Sequence, residues 1–183
     1  MTIHGFWLLI VLNKQRSQLE LHKSNFIRIV ESNQGIMKSL CRAYYASVED
    51  QKDVFQDIVL QLWRSFDAFR GESEIGTWIY RVSLNTILNK VRNDKRKIVS
   101  EALSSAESHL SNAMADDDTE ILHVVLQSLK DVDKAVVILY LEGYKNKEIA
   151  TILNITATNV STRFNRIKAE LKSRFKIHDH EIT

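Results

Sequence analysis

Basic and amide side chains recur along residues 71–97, on a helical pattern that also carries an apolar stripe. Lysine and arginine attract the phosphates of a nucleic acid, and an asparagine amide both donates to and accepts from the edge of a base. The residues of these types are Arg81, Asn85, Lys90, Arg92, Lys95, Arg96 and Lys97. They predict a nucleic-acid surface. From this stretch alone, a solvated helix end whose cations suit the macrodipole explains the charge equally well.

A second group of potential nucleic-acid contacts lies within residues 157–175. Its members are Asn159, Ser161, Thr162, Arg163, Asn165 and Arg166. Such side chains bind phosphates or read base edges in the major groove, where arginine favours guanine and asparagine favours adenine. The net charge is only +2, but basic residues crowd this segment while acidic residues crowd 116–120. That segregation favours a polyanionic partner.

The elements that must position these side chains are predicted to be helices, because the chain has no proline and only five glycines. Apolar spacing predicts one helix over residues 18–46, or two separated at 32–35, and a further helix over 49–65. The next helix starts near Ile75, and we expect Trp78 on its apolar face to pack in the core. Cys41 is the one cysteine, so an internal disulfide is excluded and a buried thiol is expected.

The C-terminal part has the pattern of a helix-turn-helix. A helix containing Val132 to Tyr140 is expected to end at Gly143, and Asn146 is expected to cap the short helix that follows. Asn154 tolerates the left-handed backbone of a tight turn, and Thr156 can cap the long basic helix. Two helices joined by such a turn are the arrangement of a helix-turn-helix. A cationic helical hairpin without that function is the alternative.

Composition divides the chain into two units. Residues 98–119 are rich in serine and acidic residues, as in a flexible solvated linker. We therefore predict an all-α protein of two small helical domains, 18–97 and 120–177, the second a helix-turn-helix. An N-terminal extension, 1–17, and a tail, 178–183, complete it.

The apolar run FWLLIVL at residues 6–12 is far shorter than the roughly 20 residues of a membrane-spanning helix. It has no cation before it and no clear cleavage site after it, so a signal peptide is not expected. We expect a short packed or poorly ordered extension, no membrane insertion and a cytoplasmic protein.

Three blocks of the sequence resemble sigma factors of the sigma-70 superfamily, extracytoplasmic-function (ECF) group. They are DVFQDIVLQLW, FRGESEIGTWIYRVSLN and LQSLKDVDKAVVILYLEGYKNKEIATILNITATNVSTRFNRIKAEL. They occur in the family's order, with a linker between the second and third. The resemblance implies a bacterial transcription initiation factor that binds core RNA polymerase, recognises the minus-ten and minus-thirty-five promoter elements and assists DNA opening. It implies no cofactor and no enzymatic activity, and it implies an anti-sigma factor as a further partner.

The resemblance also implies roles for particular residues. Asp53, Gln56 and Asp57 match the D-x-x-Q-[DE] pattern of the helix that binds core polymerase. Asn85 ends the W-[IL]-Y-R-[IV]-x-x-N pattern, where the family holds a base flipped out of the minus-ten element. Arg81 and the cations from Lys90 to Lys97 would hold the DNA backbone nearby. The residues from Asn159 to Arg166 named above match the helix that meets the minus-thirty-five element.

Three other functions are weighed against this interpretation. A stand-alone helix-turn-helix regulator would explain residues 122–176 and leave the WIYRVSLN segment unexplained. An enzyme or metal protein would need convergent catalytic or ligating groups, and the sequence shows no glycine-rich phosphate loop, cysteine cluster or histidine–carboxylate motif. His178, Asp179 and His180 fit an exposed tail better than a metal site. A structural helical adaptor would fail to bind DNA.

Overall fold

The computed structural model describes residues 3–101 and 125–176, and no strand occurs within these ranges. They contain six helices of eight residues or more, α1 (Ile3–Tyr44), α2 (Val48–Phe66), α3 (Ile75–Glu101), α4 (Asp131–Leu141), α5 (Asn146–Leu153) and α6 (Ala157–Lys176). Residues 125–128 are also helical. The prediction of an all-α protein is confirmed.

Helices α1, α2 and α3 pack against one another as a three-helix unit, because each has an apolar stripe that must leave water. Its fully buried side chains are Met37, Leu40, Val54, Ile58, Leu62, Ile79, Leu84 and Ile87. Trp78 is 3% exposed and packs beside Phe69, with ring centroids 4.9 Å apart. Its predicted place in the core is confirmed, as is that of Cys41.

α1 is one continuous helix through residues 32–35, so the alternative of two separate helices is wrong. A glycine inside a helix costs about 1 kcal/mol. Burial of Met37 and Leu40 just beyond Gly35 outweighs that cost, since a fully buried side chain of this size contributes about 1.5–3 kcal/mol. The helical backbone of α1 begins at Ile3, so this helix includes the apolar run at 6–12 and most of the segment predicted as an extension, 1–17.

Helices α4, α5 and α6 form the second unit, and most of its predicted helix ends are confirmed. Gly143 has φ +87°, and the N–H groups of Gly143 and Tyr144 donate to the carbonyls of Tyr140 and Leu139, both at 3.0 Å. This is the Schellman arrangement. Asn154 is left-handed with φ 53°.

The cap predicted for Thr156 is present, because its Oγ1 accepts from the Asn159 N–H at 3.1 Å. The cap predicted for Asn146 is wrong. Lys145 is the N-cap residue, and its own N–H donates to the Glu148 carboxylate at 2.7 Å. The Asn146 amide instead accepts from the Tyr140 hydroxyl and donates to Ser161 Oγ at 2.7 Å.

The two units are docked on each other, which the sequence did not predict. The rings of Tyr80 on α3 and Tyr144 lie edge to face, with centroids 5.5 Å apart. Lys134 on α4 is buried, and its Nζ donates to the Ala43 carbonyl in the last turn of α1 at 2.9 Å. Burial lowers the pKa of Lys134. The ammonium nevertheless lies at the negative end of the α1 dipole, where a cation is favoured.

Of the linker predicted at 98–119, the structure describes only residues 98–101. α3 continues to Glu101, so the first residues of the 98–119 segment are helical. Residues 102–119 and the tail at 178–183 lie outside the described residues.

Candidate nucleic-acid interface

Asn85 lies exposed on α3 at the edge of a cavity of about 280 Å³. The loop between α2 and α3 supplies Phe69 and Arg70 to its wall, and α3 supplies Trp78 and Arg81. An aromatic wall, an amide and two guanidinium groups can together enclose a planar ring and bind its polar edge and adjoining phosphate. The cavity thus joins predicted residues Arg81 and Asn85 in one site.

Phe69 and Arg70 were not among the residues predicted from the sequence to contact nucleic acid. The structure places both in the cavity wall with Asn85. Their position in the same FRGES–WIYR block as Arg81 was the available signal, but only the turn between two packed helices brings them to the asparagine.

A wider polar groove of about 660 Å³ continues from Asn85 between α2 and α3. Gln61 and Arg64 line it from α2, and Lys90 lines it from α3. Lys90 Nζ lies 2.6 Å from Asp57 Oδ2, and both side chains are partly exposed. The structure therefore joins a residue predicted to bind polymerase with one predicted to bind DNA.

The other two residues predicted to contact polymerase, Asp53 and Gln56, are exposed on α2. Gln56 also lines a shallow pocket of about 350 Å³ with Phe55 and Lys52. An exposed polar pair beside partly buried apolar surface is the composition of a protein–protein interface with a polar rim.

The basic end of α3 faces the second unit. Arg92, Lys95 and Arg96 are exposed and line a cavity of about 430 Å³ with Asp131. Lys95 Nζ lies 2.5 Å from Asp131 Oδ2. Lys97 lies on the same helix, and its side chain is outside the described ones. Predicted DNA contacts thus lie at the junction of the two units.

The predicted contacts on α6 divide into an exposed set and a paired set. Asn159, Thr162 and Asn165 are exposed. Ser161 accepts from Asn146 and its own Oγ donates to the Ala157 carbonyl at 3.1 Å, so its hydroxyl also serves to hold α5 on α6.

Arg163 and Arg166 both bind Asp133 of α4, each at 2.6 Å. Sequence reasoning missed Asp133, because an aspartate in the first turn of a helix ordinarily needs no explanation beyond the macrodipole. Only the packing of α4 on α6 brings this carboxylate to the arginines.

The described part of the chain contains neither a cluster of metal-ligating side chains nor a helix that could span a membrane. No three histidine, cysteine or acidic side chains there come together as metal ligands. None of the helices in 3–101 and 125–176 is long and apolar enough to span a membrane.

Comparison with known families assigns both units. Residues 29–97 match the model for sigma-70 region 2, and residues 119–171 match that for sigma-70 region 4. The ECF RNA polymerase sigma-E factor of Haemophilus influenzae is 27% identical over 147 residues, covering 72% of this chain and 78% of that protein. The corresponding factor of Escherichia coli K12 is 27% identical over 145 residues, covering 71% and 76%.

Solved structures share the fold. The sigma factor RpoE of Bartonella quintana, crystallised with the anti-sigma factor NepR, aligns with a TM-score of 0.69 at 17% identity, covering 84% of this chain and 98% of that one. CnrH in complex with the cytosolic domain of CnrY aligns with a TM-score of 0.60 at 19% identity, covering 85% and 90%.

Proposed function

The chain belongs to the sigma-70 family of RNA polymerase sigma factors, ECF group, and directs RNA polymerase to promoters. We propose that α2 binds core polymerase, α3 binds the minus-ten element and the opening DNA, and α6 binds the minus-thirty-five element. The match to region 2 over residues 29–97 carries the proposal, because a stand-alone helix-turn-helix regulator leaves that domain unexplained.

The cavity at Asn85 holds a base flipped out of the minus-ten element. Its amide offers a donor and an acceptor to the base edge, while Phe69 and Trp78 supply aromatic surface at the wall. Arg81 lines the same cavity and binds the adjoining phosphate. Unstacking a base costs a few kcal/mol, which binding in such a cavity offsets and so assists opening of the duplex.

The basic end of α3 holds the backbone of the opening DNA by charge. Arg92 and Arg96 are exposed and available to phosphates, and Lys95 becomes available when its contact with Asp131 is exchanged for one with DNA. Lys90 adds a further cation from the groove between α2 and α3, and Lys97 continues the basic run in the sequence. Such contacts position DNA without reading its sequence.

Core polymerase binds α2 through Asp53, Gln56 and Asp57. Asp53 and Gln56 are exposed, so they exchange water for partner hydrogen bonds at little cost. Asp57 first has to leave Lys90, and a partly exposed ion pair contributes only about 0–1 kcal/mol. Polymerase binding at Asp57 therefore frees Lys90 for DNA.

Helix α6 enters the major groove of the minus-thirty-five element. Asn159, Thr162 and Asn165 form its exposed polar face, and Arg163 and Arg166 flank that face with guanidinium groups. Ser161 lies at the edge, where it also holds α5. The protein acts in the cytoplasm, without a cofactor, and an anti-sigma factor controls its access to polymerase.

Run-off transcription from genomic fragments tests the function directly. Cognate core polymerase is assayed with and without the full chain, and discrete new transcripts with a shared upstream sequence are expected. Identical products in both reactions, with a core shown to be active with another sigma factor, would overturn the proposal. The shared sequence defines the two promoter elements used in the experiments below.

A further inference from the structure

We propose that Asp133 is a positioning residue for minus-thirty-five recognition, which orients Arg163 and Arg166 from a helix outside the helix-turn-helix. The inference rests on the proposed function of α6. Asp133 lies on α4, whereas the helix-turn-helix consists of α5 and α6.

The carboxylate binds the two arginines with separate oxygens. Asp133 Oδ1 accepts from Arg163 Nη1 and Oδ2 accepts from Arg166 Nη2, each at 2.6 Å. The Asp133 side chain is 5% exposed, whereas Arg163 and Arg166 are 30% and 56% exposed. The anchor is therefore buried, and the guanidinium groups extend from it to the surface.

Burial makes this anchor strong. A buried carboxylate is costly unless it is paired and hydrogen-bonded, and here each oxygen accepts a charge-assisted bond. Breaking either bond would leave a buried charge partly unpaired. The two arginines are consequently held in one arrangement, in contrast to a surface pair that exchanges readily with water.

The anchor also fixes a third recognition residue. Arg163 Nε donates to Asn159 Oδ1 at 2.6 Å, so Asp133, Arg163 and Asn159 form one hydrogen-bonded chain across the start of α6. A guanidinium group has further N–H donors that these contacts leave for DNA. Long side chains lose conformational freedom on binding, and holding them beforehand reduces that loss.

Asp133 also changes the charge balance of the surface. Its negative charge offsets one of the two arginine charges, which weakens attraction to any phosphate backbone while leaving directed donors in place. The arrangement thus lowers binding to random DNA relative to binding at the correct element. A residue that only stabilised the fold would affect both kinds of binding alike.

This difference gives the test. The full chain, assembled with core polymerase, is bound to a duplex with the minus-thirty-five element recovered by run-off transcription and to one with that element scrambled. Asp133→Asn is expected to reduce the ratio of the two affinities about tenfold, the range of one lost base contact. Binding to the scrambled duplex should be undiminished, with a steeper dependence on salt.

Glu142→Gln is the matched control, because it also replaces a carboxylate by its amide, at the exposed residue that caps the C-terminus of α4, and Glu142 is not the partner of Arg163 or Arg166. Its affinity ratio should equal that of the unmodified chain. An unchanged ratio for Asp133→Asn, or an equal loss on both duplexes, would overturn the inference.

A second measurement applies if Asp133→Asn fails to fold. In the unmodified chain, the guanidinium N–H signals of Arg163 and Arg166 should show restricted rotation by nuclear magnetic resonance, both free and bound to the duplex. Free rotation in either state overturns the inference.

If the unmodified holoenzyme does not discriminate the two duplexes, the proposed role of α6 fails and this inference fails with it. Normal discrimination with no effect of Asp133→Asn rejects the inference alone.

Discussion

Asn85 and Lys90 show how differently single residues of one helix are used. Asn85 is exposed at the cavity edge, where its amide is available to a base. Lys90, little more than one helical turn further on, is held by Asp57. Both were predicted DNA contacts from residue type, and the structure gives them different conditions for binding. The partner that each side chain has in the free protein therefore decides how readily it meets DNA.

Replacing Asn85 by alanine should impair initiation while leaving core binding unchanged. The substitution removes the donor and acceptor for the flipped base, so transcript yield is expected to fall about tenfold or more, since a good bidentate base contact is worth about 1–3 kcal/mol. Run-off yield and affinity for core polymerase are measured in parallel. Asn93→Ala is the control on the same helix, because Asn93 does not line the smaller cavity. Normal transcription by Asn85→Ala would exclude the flipped-base role.

Replacing Asp53 and Gln56 together by alanine should weaken core binding first. Both side chains are exposed, so the fold should tolerate the change, while the affinity for core polymerase falls about tenfold or more. Affinity is measured by titration of labelled protein with core. Asp67→Ala, at the far end of α2, serves as a control for removing an exposed acidic side chain. Equal affinity for the double variant and the control would place the polymerase contact elsewhere.

The two glycines Gly35 and Gly143 affect the helices around them in opposite ways. Gly35 lies within a regular helix, and a Cβ there would meet no atom within 4 Å. Gly143 has φ +87°, where side chains are strained even though the space is open. α1 continues through Gly35 without a break. Gly143, in contrast, ends α4 and fixes the direction in which the chain enters α5.

The same substitution at these two positions should change stability in opposite directions. Gly143→Ala is expected to lower the free energy of unfolding by about 1 kcal/mol, because alanine disfavours the left-handed backbone. Gly35→Ala is expected to raise it by about 0.5–1 kcal/mol, because alanine has fewer unfolded conformations and the higher helix propensity. Denaturant titration of both variants tests the pair. A shift of the same sign in both would contradict this account of the two glycines.

For the whole molecule, the main feature is the docking of α4 to α6 on the first three helices. Tyr44 donates to the Asp131 carbonyl at 2.7 Å, and Lys134 lies over the Tyr44 ring with its Nζ 4.9 Å from the centroid. These contacts and the Lys95–Asp131 pair join the units near α4. One continuous cluster consequently contains buried side chains of both units, such as Ile79 of α3 and Leu139 of α4, while Leu126, Leu129, Val137 and Ile167 form a second, smaller cluster.

Reversing the charge of Lys134 should open this docking. In Lys134→Glu, a carboxylate would lie beside the carbonyls that end α1 and close to Asp131, a cost of several kcal/mol for an unpaired buried charge. A larger radius of gyration by small-angle X-ray scattering is expected. Lys134→Met is the control, because an apolar side chain of similar length fills the site without a charge to desolvate, and it should stay compact. A compact Lys134→Glu variant would show that the docking does not depend on this contact.

Alkaline pH should destabilise the folded protein. Burial raises the pKa of Tyr44, Tyr45 and Tyr80 above the ordinary value of 10.0, and raises that of Cys41 from 9.0 to about 11. Below about pH 8 these groups are neutral in both folded and unfolded chains, so their contribution to stability is complete. Above it the unfolded chain ionises first, and the free energy of unfolding falls.

Lys134 acts in the opposite sense, since its lowered pKa makes stability rise with pH, but it is one group against four. The free energy of unfolding, measured by denaturant titration from about pH 8 upwards, should therefore decrease, and tyrosinate absorbance should appear together with unfolding. Tyrosinate absorbance that reaches its full value while the helical circular dichroism is intact would contradict burial of these tyrosines.

The helices and most of their ends could be predicted from the sequence. Each of the signals involved acts between residues that are close in sequence, so it can be recognised without the structure. These signals are the apolar spacing, Gly143, and the caps at Asn154 and Thr156. Family resemblance added an expected role for each domain and for the polar residues on each surface, and the residue roles stay predictions. Burial of Trp78 and Cys41 followed from the same periodic pattern.

Which of these side chains meet depends on how the helices pack. The Asp133 bonds to Arg163 and Arg166, the Asp57–Lys90 pair and the use of Asn146 between Tyr140 and Ser161 join different helices. The docking of Lys134 on Ala43 spans an even longer separation along the chain. Local pattern specifies which face of a helix is apolar, but the partner of a polar group depends on how faces pack. Packing is a property of all the buried side chains together.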